Sequence, residues 1–193
     1  MQSHKSSITF YGGTESVTGS NFLFETDGLS LLIDCGLFQG CRLCGDLNAL
    51  SFPYDPSSID ALFVTHGHLD HVGRIPKLVR DGFRGVIYST PPTRDLGELM
   101  LIDSMGIMEK EARREHTELL YKKEDVEKAM EFWRVAPYHE AIFLDGGVTA
   151  RFKDSGHILG SAMVELERDG KKIIFTGDLG NAPTPLLHDT EIV

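Results

Sequence analysis

The first sixty-odd positions of the chain carry short apolar runs separated by turn-forming residues. Residues 7–11 (SITFY), 20–25, 29–33 (LSLLI) and 59–64 (IDALFV) are brief, apolar or aromatic, and punctuated by Gly, Asp or Pro, which predicts strands. The middle changes period. After Pro91-Pro92, Thr93 stands where a helix needs a cap and Asp95 falls in the first turn, while Leu96, Leu99, Met100 and Ile107 share one face. That pattern predicts a core-facing helix. In a second helix Val126, Ala129, Met130 and Trp133 fall at i, i+3, i+4 and i+7, ending before Pro137, and the stripe reads as core packing. Strands return at 141–144, 147–153, 161–167 and 171–176, with Asp145-Gly146-Gly147 and Arg168-Asp169-Gly170 as turns, the last pair forming a hairpin. Strands on both sides of a helical block predict an α/β, or α+β, layered domain. No repeat or linker-like tract interrupts it, so residues 1–193 read as one unit.

Composition narrows the class. With 41% hydrophobic and 25% charged residues the chain can bury a sizeable core, which excludes disorder and disulfide-dense miniature folds. A net charge of −10 argues against gripping nucleic acid by bulk electrostatics. The N-terminus MQSHKSSITF lacks an apolar leader, and the longest apolar stretch, LSLLIDCGLF, is interrupted by Asp34 and too short to span a bilayer. The expected location is the cytoplasm, with no membrane contact. Three cysteines, Cys35, Cys41 and Cys44, make an odd number and lack a fourth ligand for a structural zinc, so reduced, buried or indifferent thiols are expected.

The segment THGHLDHVGRIPKL places His66, His68, Asp70 and His71 directly after a predicted strand. In extended chain residues i and i+2 point to one side, so His66 and His68 converge on one cation. Asp70 and His71, in the turn before a helix expected around 72–80, face another way and suit a second cation a few Å off. Imidazole and carboxylate together fit zinc, with manganese or iron also compatible. Downstream, DSGHILGSA presents His157 on a Gly-flanked loop, and KKIIFTGDLG ends a strand at Asp178. Strand ends and their loops are where α/β folds place chemistry.

These residues resemble a known family. THGHLDH, GHILGSA and FTGDLG look like the metallo-β-lactamase superfamily. Within it, FYGGTESVTGSNF, LLIDCGLFQG and VGRIPKLVRDGFRGVIYST are similar to the β-CASP ribonucleases, the group of RNase J-like enzymes and the pre-mRNA cleavage endonuclease. The resemblance implies an αββα sandwich, present here as an incomplete N-terminal portion. It implies that His66, His68 and His157 bind one zinc, that Asp70 and His71 bind a second, and that Asp178 bridges them. Asp70 and Asp178 would thereby carry catalysis, and Asp34 would orient a ligand histidine without touching metal. A hydroxide held between the metals would attack the phosphodiester phosphorus in line. His139 and His188 match no family motif and are expected to be solvent-facing or structural.

A complete family member is longer. After the strand matching KKIIFTGD it inserts a β-CASP domain and then closes the lactamase fold with a further metal-binding histidine. On that resemblance the RNA-holding surface lies in the absent part, and a homodimer or a partner segment stands open as its source. Two other readings also stay open: a glyoxalase-like thioester or ester hydrolase, and a metal-binding scaffold without turnover. VTGSNF and DCGLFQG favour the ribonuclease.

Overall fold

A computed structural model describes residues 5–193; the first four residues of the N-terminal stretch lie outside it. Strands β1 (Ser7–Gly12), β2 (Asn21–Thr26) and β3 (Leu29–Ile33) form an antiparallel meander. Its second turn is closed by Gly28 at φ +74°, where a side chain would be strained. Strands β4 (Ala61–Phe63), β5 (Val86–Ser89) and β6 (Trp133–Val135) then add in parallel beside β3, giving the order β1-β2-β3-β4-β5-β6.

Each parallel step needs a crossover, and helices supply them. Helix α1 (Cys44–Ala49) lies between β3 and β4, α2 (Leu69–Val72) and α3 (Ile75–Arg80) between β4 and β5, and α4 (Pro91–Glu115) and α5 (Lys123–Phe132) between β5 and β6. Strands β7 (Ile142–Phe143), β8 (Thr149–Asp154), β9 (Ala162–Arg168) and β10 (Lys171–Phe175) form a second, antiparallel sheet in the order β10-β9-β8-β7.

Alternation along β3 shows how the layers stack. Leu32 joins Leu62, Val79, Leu101, Ala129 and Trp133 in a core between the first sheet and the helices. Its neighbours Leu31 and Ile33 join Phe63, Phe152 and Val164 in a core between the sheets. A strand covered on both faces reads as a near-continuous apolar run, as LSLLI does after Ser30. The outer face of the second sheet is polar: Arg151 pairs with Glu165 and Glu167 at 3.5 and 3.0 Å, and Lys172 with Glu165 at 3.1 Å. The described residues thus build three layers, αββ, of the expected αββα sandwich.

Several local expectations are corrected. Thr90, not Thr93, caps α4, its Oγ1 accepting from the Thr93 amide at 3.4 Å. The inward face of α4 is Thr93, Gly97, Leu101 and Ser104 rather than the predicted apolar stripe, and Leu99 and Ile107 are 62% and 52% exposed. A Cβ on Gly97 would stand 3.2 Å from the Trp133 ring, so the helix seats its smallest residue on that ring. Trp133 is core as expected, but it opens β6 instead of closing α5. The helix expected around 72–80 is two short helices, α2 and α3. Strand β5 went unanticipated because VIYS is too short to show a period. Cys41 and Cys44 form a disulfide rather than staying reduced, because the turn into α1 sets their Cα atoms 5.2 Å apart. Only Cys35, buried, keeps a free thiol.

Candidate metal centre

The centre forms where the two sheets meet. Strand β4 ends at Phe63, and the four residues after it deliver Thr65 and His66 into the seam, with His68 just before α2. The Ala162 amide of β9 donates to the Thr65 carbonyl at 2.8 Å, tying the second sheet to this segment. Ser161 Oγ accepts from the His157 and Ile158 amides at 3.0 and 3.1 Å and so shapes the loop that presents His157. The Gly180 amide donates to the Ser155 carbonyl at 2.8 Å, fixing the turn after Asp178.

The side chains converge. One ligand atom each from His66, His68, His157 and Asp178 lies within 4.8 Å of the others. His68 Nδ1 is 3.0 Å from His66 Nε2 and 3.3 Å from His157 Nε2, and Asp178 Oδ2 is 3.8 and 3.5 Å from those two Nε2 atoms. The other oxygen of Asp178 turns the opposite way. Its Oδ1 lies 3.4 Å from His71 Nε2, which is 3.8 Å from Asp70 Oδ2. The sequence-predicted residues therefore meet in two adjoining groups that share Asp178.

Asp34 sits beneath them, 1% exposed and at a left-handed φ of 59°. Its carboxylate accepts from Ser20 Oγ at 3.1 Å, the Thr65 amide at 2.8 Å, Thr65 Oγ1 at 2.9 Å and His71 Nδ1 at 2.7 Å. With Thr65 Oγ1 donating to Asp34, that hydroxyl accepts from His66 Nδ1 at 3.1 Å, which leaves the His66 Nε2 lone pair facing the cluster. Thr65 and Ser20 were not anticipated: a hydroxyl that orients a ligand has no spacing signature, and only the position of Thr65 next to His66 could have pointed to it.

The electrostatics follow from this packing. Burial and the neighbouring His71 charge push His66 down to about 3, and burial also lowers His157. For His71 burial disfavours the charge, but it is outweighed by Asp34 and by hydrogen bonds to Asp178 and Asp34, which raise it to about 10. The hydrogen bond from His71 holds Asp178 down at about 2. Without a cation His71 thus stays protonated while His66 is neutral. A groove of about 310 Å³ opens beside Asp34, His71 and Asp178 between Phe10 and Phe22 on one sheet and Phe175 on the other. His139 and His188 lie outside the cluster, 3.2 Å from Glu191 and 3.5 Å from Asp154, and both are exposed as expected.

Three imidazoles and a carboxylate at one point are the donor set of a divalent-metal site, and the fold says the same. Residues 16–190 match the metallo-beta-lactamase superfamily model, and the chain belongs to that superfamily. It is 38% identical to a protein named ribonuclease TTHA0252 from Thermus thermophilus, over 96% of this chain and 40% of that protein. It is 36% identical to a transcription termination factor FttA of Methanosarcina mazei, over 89% of this chain and 27% of the relative, and 34% identical to an RNase J-like protein of Methanocaldococcus jannaschii, over 96% and 39%. The chain thus spans two fifths or less of these relatives. Among solved structures, the metallo-beta-lactamase fold protein YhfI of Bacillus subtilis matches 90% of this chain and 63% of its own at a TM-score of 0.54 and 18% identity, a likeness of fold.

Proposed function

We propose that this chain is the metal-binding part of a two-metal phosphodiesterase acting on RNA, of the β-CASP branch of its superfamily. One observation carries the reading: the two oxygens of Asp178 face different groups, Oδ2 at 3.5 Å from His157 Nε2 and Oδ1 at 3.4 Å from His71 Nε2. A carboxylate so placed suits a pair of cations. In this reading His66, His68 and His157 hold the first ion, Asp70 and His71 the second, Asp178 bridges them, and Asp34 fixes His71. Zinc fits a set dominated by imidazole, with manganese or iron as alternatives.

Ions held there supply Lewis acidity and a water that deprotonates near neutral pH. The chain's own residues prepare that chemistry. Asp34 and Thr65 fix the tautomers of His71 and His66 so that each presents Nε2. Asp70 and Asp178 bring negative charge that offsets two divalent cations, and the buried His66 stays neutral and ready to ligate over the whole physiological range.

RNA as substrate rests on the names of the relatives, a ribonuclease and an RNase J-like protein. The net charge of −10 supports a phosphate-holding surface that lies in the remaining length such relatives possess, in a β-CASP insertion and a closing segment, supplied in cis, by a homodimer or by a partner segment. The described residues contain no helix long and apolar enough to cross a membrane; the cytoplasmic location in this reading rests on the RNA-processing names of the relatives.

Two measurements test this. Elemental analysis of the purified chain should find about one metal equivalent or more, lost in a His66→Ala, His68→Ala double variant. Single-stranded RNA with zinc or manganese should survive the isolated chain and be cleaved once the C-terminal portion of a relative is joined in cis or added in trans, unless His68 is replaced by Ala. Substoichiometric metal indifferent to the substitutions, or a metal-loaded completed protein that leaves RNA intact, would overturn the reading.

A further inference from the structure

Cys41 and Cys44 lie outside the metal centre, yet the loop they close leads to it. Cys41 is exposed, Cys44 is buried at the first position of α1, and the Cys41 amide lies 3.1 Å from Cys44 Sγ, where it donates. Asn48, on the same helix, holds Phe38 through both polar groups, accepting from its amide and donating to its carbonyl, each at 2.9 Å. The next residue, Gln39, is stitched to Thr18 by two hydrogen bonds of 2.9 and 3.1 Å. Gly36 presses on α2 so closely that a Cβ there would fall 1.5 Å from the carbonyl oxygen of Asp70.

We propose that Cys41 and Cys44 are a reversible thiol–disulfide site, exchanging with a low-molecular-weight disulfide such as glutathione disulfide, whose oxidation state sets how firmly residues 36–48 brace the segment over Asp70. The C-x2-C spacing and the Cys41 amide donating to Cys44 Sγ both favour thiolate character. The exposed Cys41 thiolate attacks one sulfur of glutathione disulfide, expelling one glutathione thiolate and forming a mixed disulfide. Cys44 thiolate then attacks Cys41 Sγ, expelling the second. Two protein thiols are oxidised, one glutathione disulfide is reduced to two glutathiones, and the two protons pass to the departing thiolates. Cys35 does not compete: it is fully buried, and burial pushes its thiol up to about 12.

The test counts thiols and so stands apart from any ribonuclease activity. The full chain is equilibrated with glutathione and glutathione disulfide at graded ratios, quenched with N-ethylmaleimide in denaturant and weighed intact. Three adducts are expected at the reducing end and one, on Cys35, at the oxidising end. The change should run from one tenth to nine tenths oxidised over about an 80-fold span of squared glutathione over its disulfide, as two-electron mass action requires. Three adducts at every ratio, one adduct at every ratio, or a glutathione left on Cys41 without ring closure would each overturn the proposal. Cys41→Ser, at an exposed position, should give two adducts throughout even if Cys44→Ser fails to fold, and a redox-dependent count in that variant would also overturn it. Hydrogen exchange at the Phe38 and Gln39 amides should be roughly tenfold faster in the reduced form. Identical exchange in the two forms would overturn the bracing of the metal-facing loop.

Discussion

Asp34→Asn removes one buried negative charge while keeping the side-chain shape. The carboxylate receives four hydrogen bonds, the shortest being 2.7 Å from His71 Nδ1, and His71 is itself only 5% exposed. Raising His71 from 6.5 to about 10 corresponds to roughly 5 kcal/mol of preference for its charged form. Removing one partner of a buried pair typically costs about 3–5 kcal/mol. For a chain of 193 residues each kcal/mol is worth about 2–4 °C in Tm, so the metal-free variant should melt roughly 6–20 °C lower. The deficit must depend on pH. Below 6.5 the charged imidazole is paired in the folded chain and merely solvated in the unfolded one, so the whole contribution is present. As pH rises the unfolded chain loses its proton first and the folded chain only near 10, so the contribution drains away across that window. Thermal melts of wild type and variant in chelator should therefore differ most near pH 6 and converge above about pH 10. A gap that stayed constant would show that Asp34 acts by shape and hydrogen bonding, with its charge irrelevant.

Asp178→Asn should empty the Asp70–His71 position while the three-histidine position keeps most of its metal, as read by elemental analysis; equal retention of both would make Asp178 a turn residue. Gly36→Ala alters no ligand side chain, but its Cβ would overlap the backbone carbonyl of Asp70, so it should cost about 2 kcal/mol or more in chemical denaturation and weaken second-site binding. Leu101→Ala, fully buried in the helix-side core, should cost about 2–5 kcal/mol against under about 0.5 for the exposed Leu99→Ala, and the reverse ranking would contradict the observed phase of α4.

How much was legible in the sequence depended on whether a residue's role left a periodic or positional trace. His66 and His68 were legible because i and i+2 spacing in extended chain has a geometric meaning. Asp70 and His71 were legible as a second group because the backbone turns into α2 between them and His68. The strands of the second sheet showed because one face is apolar and the other carries ion pairs. The phase of α4 did not show. Beside Leu101, its core contacts include Gly97 against Trp133 and Ser104 against Tyr121, so small and polar residues share the inward face and the apolar count points the wrong way. Thr65 and Ser20 escaped for a related reason: they act through hydrogen bonds to Asp34, and their partners are set by tertiary approach. The disulfide escapes because an odd cysteine count argues against a disulfide framework, although two of three can pair and leave the buried one free.

The proposed ligands divide between the two sheets, and this bears on folding as well as on chemistry. His66, His68, Asp70 and His71 follow strands of the first sheet, whereas His157 and Asp178 follow strands of the second. Backbone bonds fasten each set to its own side: Cys35 to His71 at 2.8 Å, Leu37 to Leu69 at 2.8 Å and Ser20 to Asp70 at 2.9 Å hold α2 against the first sheet. Across the seam near the centre the Ala162 amide donates to Thr65, and the Thr90 and Thr93 hydroxyls donate to the Gly160 carbonyl at 2.6 and 2.9 Å, so these few bonds, apolar packing and the facing histidine and aspartate side chains join the sheets there. A cation gripped by His66 and His157 together would have its full donor set only when the sandwich is closed, so it would stabilise the closed form by an amount that grows with the logarithm of its concentration over its dissociation constant. The histidine–aspartate cluster is therefore a clasp between layers, and loss of His157 should loosen the second sheet even though its own hydrophobic core is untouched.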